Sequence, residues 1–117
     1  MSTRKILVVD DEPEMTALLS SFLTAKKYTV FTAHTGAEAL PLFDKEQPDM
    51  VFLDIRMPGM DGLEVLETIR KRSPQARVVM ITAFEDAAVR KRARALGAEH
   101  FIPKPFSLFD LERELDL

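Results

Sequence analysis

Two apolar runs in this sequence end on carboxylates: Ile6-Leu7-Val8-Val9 on Asp10-Asp11, and Val51-Phe52-Leu53 on Asp54. A third, Val78-Val79-Met80-Ile81, ends on Thr82-Ala83, and Lys104 follows a fourth at Phe101-Ile102-Pro103. If these ends meet, three carboxylates lie together. They repel, so one of them is driven neutral or a cation joins them. Hard oxygen ligands with no His or Cys select Mg²⁺ or Mn²⁺ over zinc. Mg²⁺ keeps several waters and readily shares its site with phosphate oxygens. A lysine and a threonine hydroxyl beside such a centre suit phosphoryl transfer, where charge on the moving group must be stabilised.

The order of elements says how these residues meet. Arg4 to Val9 reads as a strand, and Pro13 suits the first turn of the next helix, with Met15, Leu18, Leu19 and Phe22 as one apolar stripe. Tyr28 to Thr32 is a second strand, and Thr35 caps a helix through Gln47 in which Pro41 should kink or shorten the run. Asp49 to Leu53 is a third strand. Turn residues Met57 to Gly62 follow it, then a helix through Leu63, Leu66 and Ile69. Arg77 to Ile81 is a fourth strand, and the helix from Glu85 to Leu96 stops at Gly97. Glu99 to Ile102 is a fifth strand, and Ser107 caps a last helix with Leu108, Leu111 and Leu115. This is strand-helix five times over, with strands apolar on both faces, as in a parallel sheet covered on both sides. The fold class is α/β, a doubly wound (βα)5 three-layer sandwich forming one domain over residues 1–117. Ligands of such folds bind beyond the carboxyl ends of the strands, where these residues fall.

Each residue alone has a plainer explanation. An Asp or Thr after a strand often caps a helix, and a lone Lys is usually a solvated surface residue. Asp61 sits in a turn and reads as structural. His34 reads as a surface or capping residue, and His100 as a packed or edge side chain. The joint placement at neighbouring strand ends is what favours chemistry. Composition narrows the rest. The 117 residues are 46% hydrophobic and 30% charged, with 16 Lys+Arg against 19 Asp+Glu and a net charge of −3. That is enough apolar content for a core, and the wrong sign for a general nucleic-acid binder. Cysteine is absent, which excludes disulfides, thiol nucleophiles and Cys-based zinc sites. The aliphatic runs are too short to cross a bilayer, so no membrane contact and a cytoplasmic location are expected. No phosphate-loop, nucleophile-elbow or His-Glu-x-x-His motif is present.

The segments Lys5 to Glu12, Val51 to Gly62, Val78 to Ala83 and Gly97 to Phe106 together resemble the receiver domain of two-component response regulators, over nearly the whole chain. The resemblance implies a flavodoxin-like sheet of order 2-1-3-4-5. It implies that Asp54 takes a phosphoryl group from the phosphohistidine of a sensor kinase or phosphotransfer protein. Asp10 and Asp11 would hold Mg²⁺ with Asp54 and the backbone carbonyl of Arg56. Thr82 and the Ala83 N–H would bond phosphoryl oxygens, and Lys104 would pair with the group. The Lys104-Pro105 bond would be cis. Phe101 would be the aromatic switch that turns inward when Thr82 moves, and the fourth helix, fifth strand and fifth helix would face a downstream protein target. The domain would catalyse only its own phosphorylation and dephosphorylation.

Against the pattern the resemblance implies, Phe101 stands where Tyr is commoner, and Pro103 removes a strand N–H without an evident reason. The resemblance places Arg56 and Phe84 at positions that tune phosphoryl lifetime in that family, and the bulky Phe84 is expected to slow hydrolysis. The fourth helix carries Arg90, Lys91, Arg92 and Arg94, whereas the fifth carries Asp110, Glu112, Glu114 and Asp116 against Arg113. That contrast suits a homodimer pairing the two helices across a two-fold axis. No DNA-binding segment lies within the sequence, so direct contact with nucleic acid is not expected, and the domain acts alone or within a longer regulator. Two alternatives remain: a haloacid-dehalogenase-like phosphatase, and an interaction module that signals without phosphate.

Overall fold

The structure is a computed structural model. It describes residues 4–57, 60–83, 87–115 and 117, with residues 56, 57 and 60 described in their backbone alone. Five parallel strands form the sheet: β1 (Lys5–Val9), β2 (Thr29–Ala33), β3 (Met50–Leu53), β6 (Arg77–Thr82) and β7 (His100–Pro103). Between β3 and β6 in sequence, β4 (Arg56–Met57) and β5 (Met60–Asp61) make a two-residue antiparallel ribbon. The sheet order is β2-β1-β3-β6-β7, which is 2-1-3-4-5 when the five long strands are counted alone. The helices are α1 (Pro13–Ala25), α2 (Gly36–Glu46), α3 (Gly62–Arg72), α4 (Ala87–Ala95) and α5 (Leu108–Leu115). The expected start of the fourth helix at Glu85, the Pro58-Gly59 turn, Phe84 and Asp116 lie outside the described residues.

Alternation along the central strands builds two cores. Ile6 and Val8 of β1, Phe52 of β3 and Val79 and Ile81 of β6 pack with Leu19 and Leu23 of α1 and Leu111 and Leu115 of α5. Leu7 and Val9, Val51 and Leu53, and Met80 face the other way, against Phe43 of α2, Leu66 and Ile69 of α3 and Ala93 of α4. Every residue of β3 is buried, while the edge strand β2 keeps exposed positions.

Helix ends follow their side chains. Thr35 accepts the Glu38 N–H at 3.1 Å, and the Glu38 carboxylate accepts the His34 N–H at 2.8 Å. Pro41 does not end α2, which runs on to Glu46 and closes at Gln47 in the left-handed region (φ 50°). Asp61 caps α3 by accepting the Leu63 N–H at 2.9 Å, the structural role expected of it. Ser107 caps α5 through Asp110, at 3.0 Å. Gly97 has φ 99° just past α4.

The α1 stripe differs from expectation. Thr16, Leu19 and Leu23 are the buried positions, and Leu18 is 46% exposed. Met15, Leu19 and Phe22 still pack on the core, so Leu18 alone leaves the expected stripe, and Thr16 is buried as well. Its hydroxyl donates to Pro13 O at 2.9 Å and lies 3.1 Å from His34 Nε2, so burial leaves it satisfied. Pro103 also finds its reason. It lies on the edge strand β7, where Lys104 N–H donates to Thr82 O at 2.9 Å. Backbone donors alternate sides along a strand, so the missing N–H of Pro103 falls on the outer side, where no partner strand needs it.

Candidate functional site

Ladder hydrogen bonds continue one residue past three of the strands. Asp10 N–H donates to Ala33 O at 3.1 Å, Asp54 N–H to Val9 O at 3.0 Å, and Lys104 N–H to Thr82 O at 2.9 Å. Each residue is thus still held by its neighbouring strand when its side chain leaves the sheet. The result is one rim: Asp10 is 2% exposed, Asp54 6% and Thr82 1%. Lys104 Nζ lies 2.8 Å from Asp10 Oδ2, 2.8 Å from Glu12 Oε1 and 3.2 Å from Asp54 Oδ2. Ala83 beside Thr82 is exposed.

Gly62 sets how closely the loop after β3 can lie. A Cβ built there would fall 2.2 Å from the carbonyl oxygen of Asp54 and 2.6 Å from Ile55 Cα. The Gly62 N–H donates to Ile55 O at 2.6 Å. With a side chain at this position, the start of α3 and the segment carrying Asp54 cannot both stay in place. The sequence marked this glycine only as a turn residue.

The carboxylates that gather are Asp10, Glu12 and Asp54, which offer oxygens all within 4.8 Å of one another. Asp11, expected at the metal, is exposed and is not among the three, and Glu12 was not singled out as a ligand. A turn brings Glu12 to the rim. Asp10 Oδ1 accepts the Glu12 N–H at 2.9 Å, an Asx turn that folds the chain back over the rim. Glu12 is the N-cap residue of α1, yet its side chain makes no cap bond, and its carboxylate reaches Lys104 instead. An acid two residues after an Asp and just before a helix-starting Pro was the available signal. Arg56, whose carbonyl was expected as a ligand, begins the ribbon directly after this loop.

Burial pushes the Asp10 carboxyl above its ordinary range, against the lowering effect of the Lys104 hydrogen bond. Glu12 is held below its ordinary range by the Lys104 hydrogen bond and charge. Burial acts to lower Lys104, but its bonds to Asp10 and Glu12 and the charge of Asp54 outweigh that and hold it above the usual lysine range. The ammonium stays protonated, and three carboxyl groups face this one cation. Three convergent hard oxygens, with no nitrogen or sulfur among them, fit Mg²⁺ or Mn²⁺ by donor chemistry.

Farther out, Phe101 is half-buried on β7 opposite Met80 in the ladder, and the Arg90 guanidinium of α4 stands 4.6 Å from its ring centroid. His34 contacts Thr16, and His100 lies on the edge strand between Glu99 and Glu114, at 3.6 and 3.8 Å. The Lys104-Pro105 peptide is cis.

A family model of the response regulator receiver domain matches residues 6–116. The chain belongs to that family. Relatives of this receiver domain include the probable transcriptional regulators ycf27 of Guillardia theta, 44% identical over 111 residues, and of Porphyridium aerugineum, 40% identical over 115. The matches cover 95% and 98% of this chain but 43% and 48% of those proteins, so the receiver domain spans less than half the length of the curated relatives it matches. Among solved structures it is similar to Vibrio cholerae CheY4, with TM-score 0.91 and 30% identity over 98% of both chains. The HemR receiver domain of Leptospira biflexa is 35% identical with TM-score 0.91, covering 97% of this chain and 91% of that one. A chain of the CheX–CheY–BeF3–Mg²⁺ complex of Borrelia burgdorferi is 31% identical with TM-score 0.90, covering 96% and 86%. The receiver fold is the one the alternating elements implied, and the phosphatase alternative is not favoured. Among the described residues, no helix is long and apolar enough to cross a membrane.

Proposed function

We propose that Asp54 is the phosphoacceptor of this receiver domain. An Asp54 carboxylate oxygen attacks the phosphorus of a phosphohistidine on a sensor kinase or phosphotransfer protein. The P–N bond breaks, its electron pair returns to the imidazole, and an acyl phosphate forms. The observation that carries this reading is Lys104 Nζ within 3.2 Å of Asp54 and 2.8 Å of Asp10, across separate strands of one sheet. Lys104 then serves the incoming phosphoryl oxygens, and Thr82 and the Ala83 N–H stand beside it as donors. Mg²⁺, with Mn²⁺ as a substitute, would be held by Asp10, Asp11 and Asp54 with the Arg56 carbonyl, and would offset charge on the transferring group. The Borrelia burgdorferi complex similar to this chain contains BeF3 and Mg²⁺, which supports the choice of cation. Residues 1–117 act in this reading as one cytoplasmic receiver unit.

The signal leaves through Thr82 and Phe101. The new group adds about −1.5 to −2 charge and strong acceptor oxygens, which draw the Thr82 hydroxyl inward. Space then opens for the Phe101 ring, and α4, β7 and α5 change their outer face. A cavity of about 250 Å³ there, lined by Phe101, Phe106, Asp110 and Arg113 among others, offers a partner both apolar and charged contacts. The homodimer remains part of the proposal, although α5 is not wholly available to a second copy. Glu112 pairs with Lys26, the residue just past α1, and Asp110 lies 3.3 Å from Arg113. Sedimentation showing only monomer for the phosphorylated form, at low and high salt, removes the dimer.

The test of the central reading is incubation with acetyl phosphate and Mg²⁺ followed by intact mass. The wild-type chain gains one phosphoryl group, and Asp54→Asn gains none. Equal labelling of both defeats the assignment, and absence of labelling in both points to the phosphate-independent module.

A further inference from the structure

Glu12 differs from the other carboxylates of the rim. Its side chain is 62% exposed, whereas those of Asp10 and Asp54 are 3% and 8% exposed, yet it contacts Lys104 as closely as Asp10 does, at 2.8 Å. The Asx turn from Asp10 and the start of α1 at Pro13 set its backbone, and its carboxylate is turned away from the helix N–H groups it would otherwise cap. An ammonium has three donors, and Asp10, Glu12 and Asp54 supply one oxygen to each. Lys104 is therefore fully satisfied by the same three carboxylates that could hold a divalent ion. Two of those oxygens belong to buried strand-end residues fixed by the sheet. The third belongs to Glu12, which closes over the ammonium from the solvent side.

We propose that Glu12 is a positioning residue for Lys104: it holds the ammonium over Asp10 and Asp54 and so sets how readily a divalent cation displaces it. The inference rests on the cation-assisted reading of the rim. An ammonium bonded to all three carboxylates competes with a divalent ion for them, so cation entry is favoured when Lys104 swings away, and Glu12 resists that movement. Shortening Glu12 by one methylene, with its charge kept, should free Lys104 and tighten cation binding. A purely electrostatic role predicts no change for the same substitution, and a direct metal-ligand role predicts weaker binding.

The experiment is calorimetric titration of Mg²⁺ into the unphosphorylated full chain, for wild type, Glu12→Asp, Glu12→Gln, Lys104→Met and the Glu12→Gln/Lys104→Met double variant. We expect Glu12→Asp to lower the Mg²⁺ Kd about threefold, the scale of one exposed ion pair. We also expect the effect of Glu12→Gln to differ about threefold between the Lys104 and Lys104→Met backgrounds, because it runs through Lys104. An unchanged or raised Kd in Glu12→Asp overturns the proposal. So does an equal effect of Glu12→Gln in both backgrounds. Asp10→Asn separates the two levels of failure. If it leaves Mg²⁺ binding intact, the cation-site reading itself falls, and if it abolishes binding while the Glu12 variants behave additively, only the role of Glu12 falls.

Discussion

At the amino ends of the strands, Asp49 accepts the N–H groups of Arg4 and Lys5 at 3.0 and 2.9 Å, and Arg77 grips both oxygens of Glu99 at 2.9 to 3.2 Å. At the carboxyl ends, Asp10, Glu12 and Asp54 crowd around Lys104, with Asp10 and Asp54 almost wholly buried. The first set is exposed and each acid has its own partner. In the second, two of the three acids are buried, and the acids outnumber the cation. Paired, exposed charges add modestly to stability and to solubility. Buried like charges cost stability and persist where chemistry needs them. The same sheet therefore separates the two uses of charge by the direction of its strands.

The sharpest way to disturb this contrast is to move the rim bodily. Gly62→Ala places a methyl group against the Asp54 and Ile55 backbone, which no side-chain rotation relieves. It should cost about 2–3 kcal/mol of stability by chemical denaturation and abolish acetyl phosphate labelling even when folded. Gly97→Ala is the matched control. The atoms nearest its Cβ belong to the flexible Arg70 side chain, and its φ of 99° makes it strained, so about 1 kcal/mol should be lost with labelling retained. Equal labelling in the two variants would mean that Gly62 does not position Asp54.

Next in size is relief of the crowded acids. Burial raises the Asp10 pKa above 3.8, so the folded state favours the protonated form, and the associated stability is lost as pH rises through the folded value. Asp10→Asn, neutral at every pH, should melt several degrees higher than wild type at pH 7 without divalent ions. The gap should close below about pH 4, and Mg²⁺ should raise the melting temperature of wild type alone. A lower melting temperature in the variant at pH 7 would show that Asp10 earns its place by holding Lys104.

The smallest effect belongs to the amino ends. Asp49 lies below its ordinary value of 3.8 because it accepts backbone N–H groups at Lys5 and Arg4. Its contribution is present above that value and lost as pH falls through the lower folded one. Asp49→Asn should cost about 0.5–1 kcal/mol at pH 7, given the exposure of the site, and nothing near pH 2. Labelling should be unaffected. A loss that persists at low pH would show that charge is not what Asp49 supplies.

Much of the fold was readable because the signals were local. Short strands ended on Asp10, Asp54, Thr82 and Lys104, with caps at Thr35 and Ser107 and a stop at Gly97, and these limits hold to within a residue or two. The helix faces were less readable. Leu18 fitted an apolar stripe but is exposed, while Thr16 is buried with its hydroxyl partnered by Pro13 and His34, and these contacts do not show in a periodicity. The role of Pro103 needed the knowledge that its strand is an edge.

Residue order alone determined which side chains stand just beyond the strands, since an apolar run bounded by a polar residue is a property of neighbours. It could not determine which of them touch. Asp10, Asp54 and Lys104 meet because parallel strands carry residues 44 and 94 positions from Asp10 to one rim, and Glu12 joins in place of Asp11 because an Asx turn folds it back. Strand pairing and turn closure are long-range and geometric, and only the folded chain expresses them.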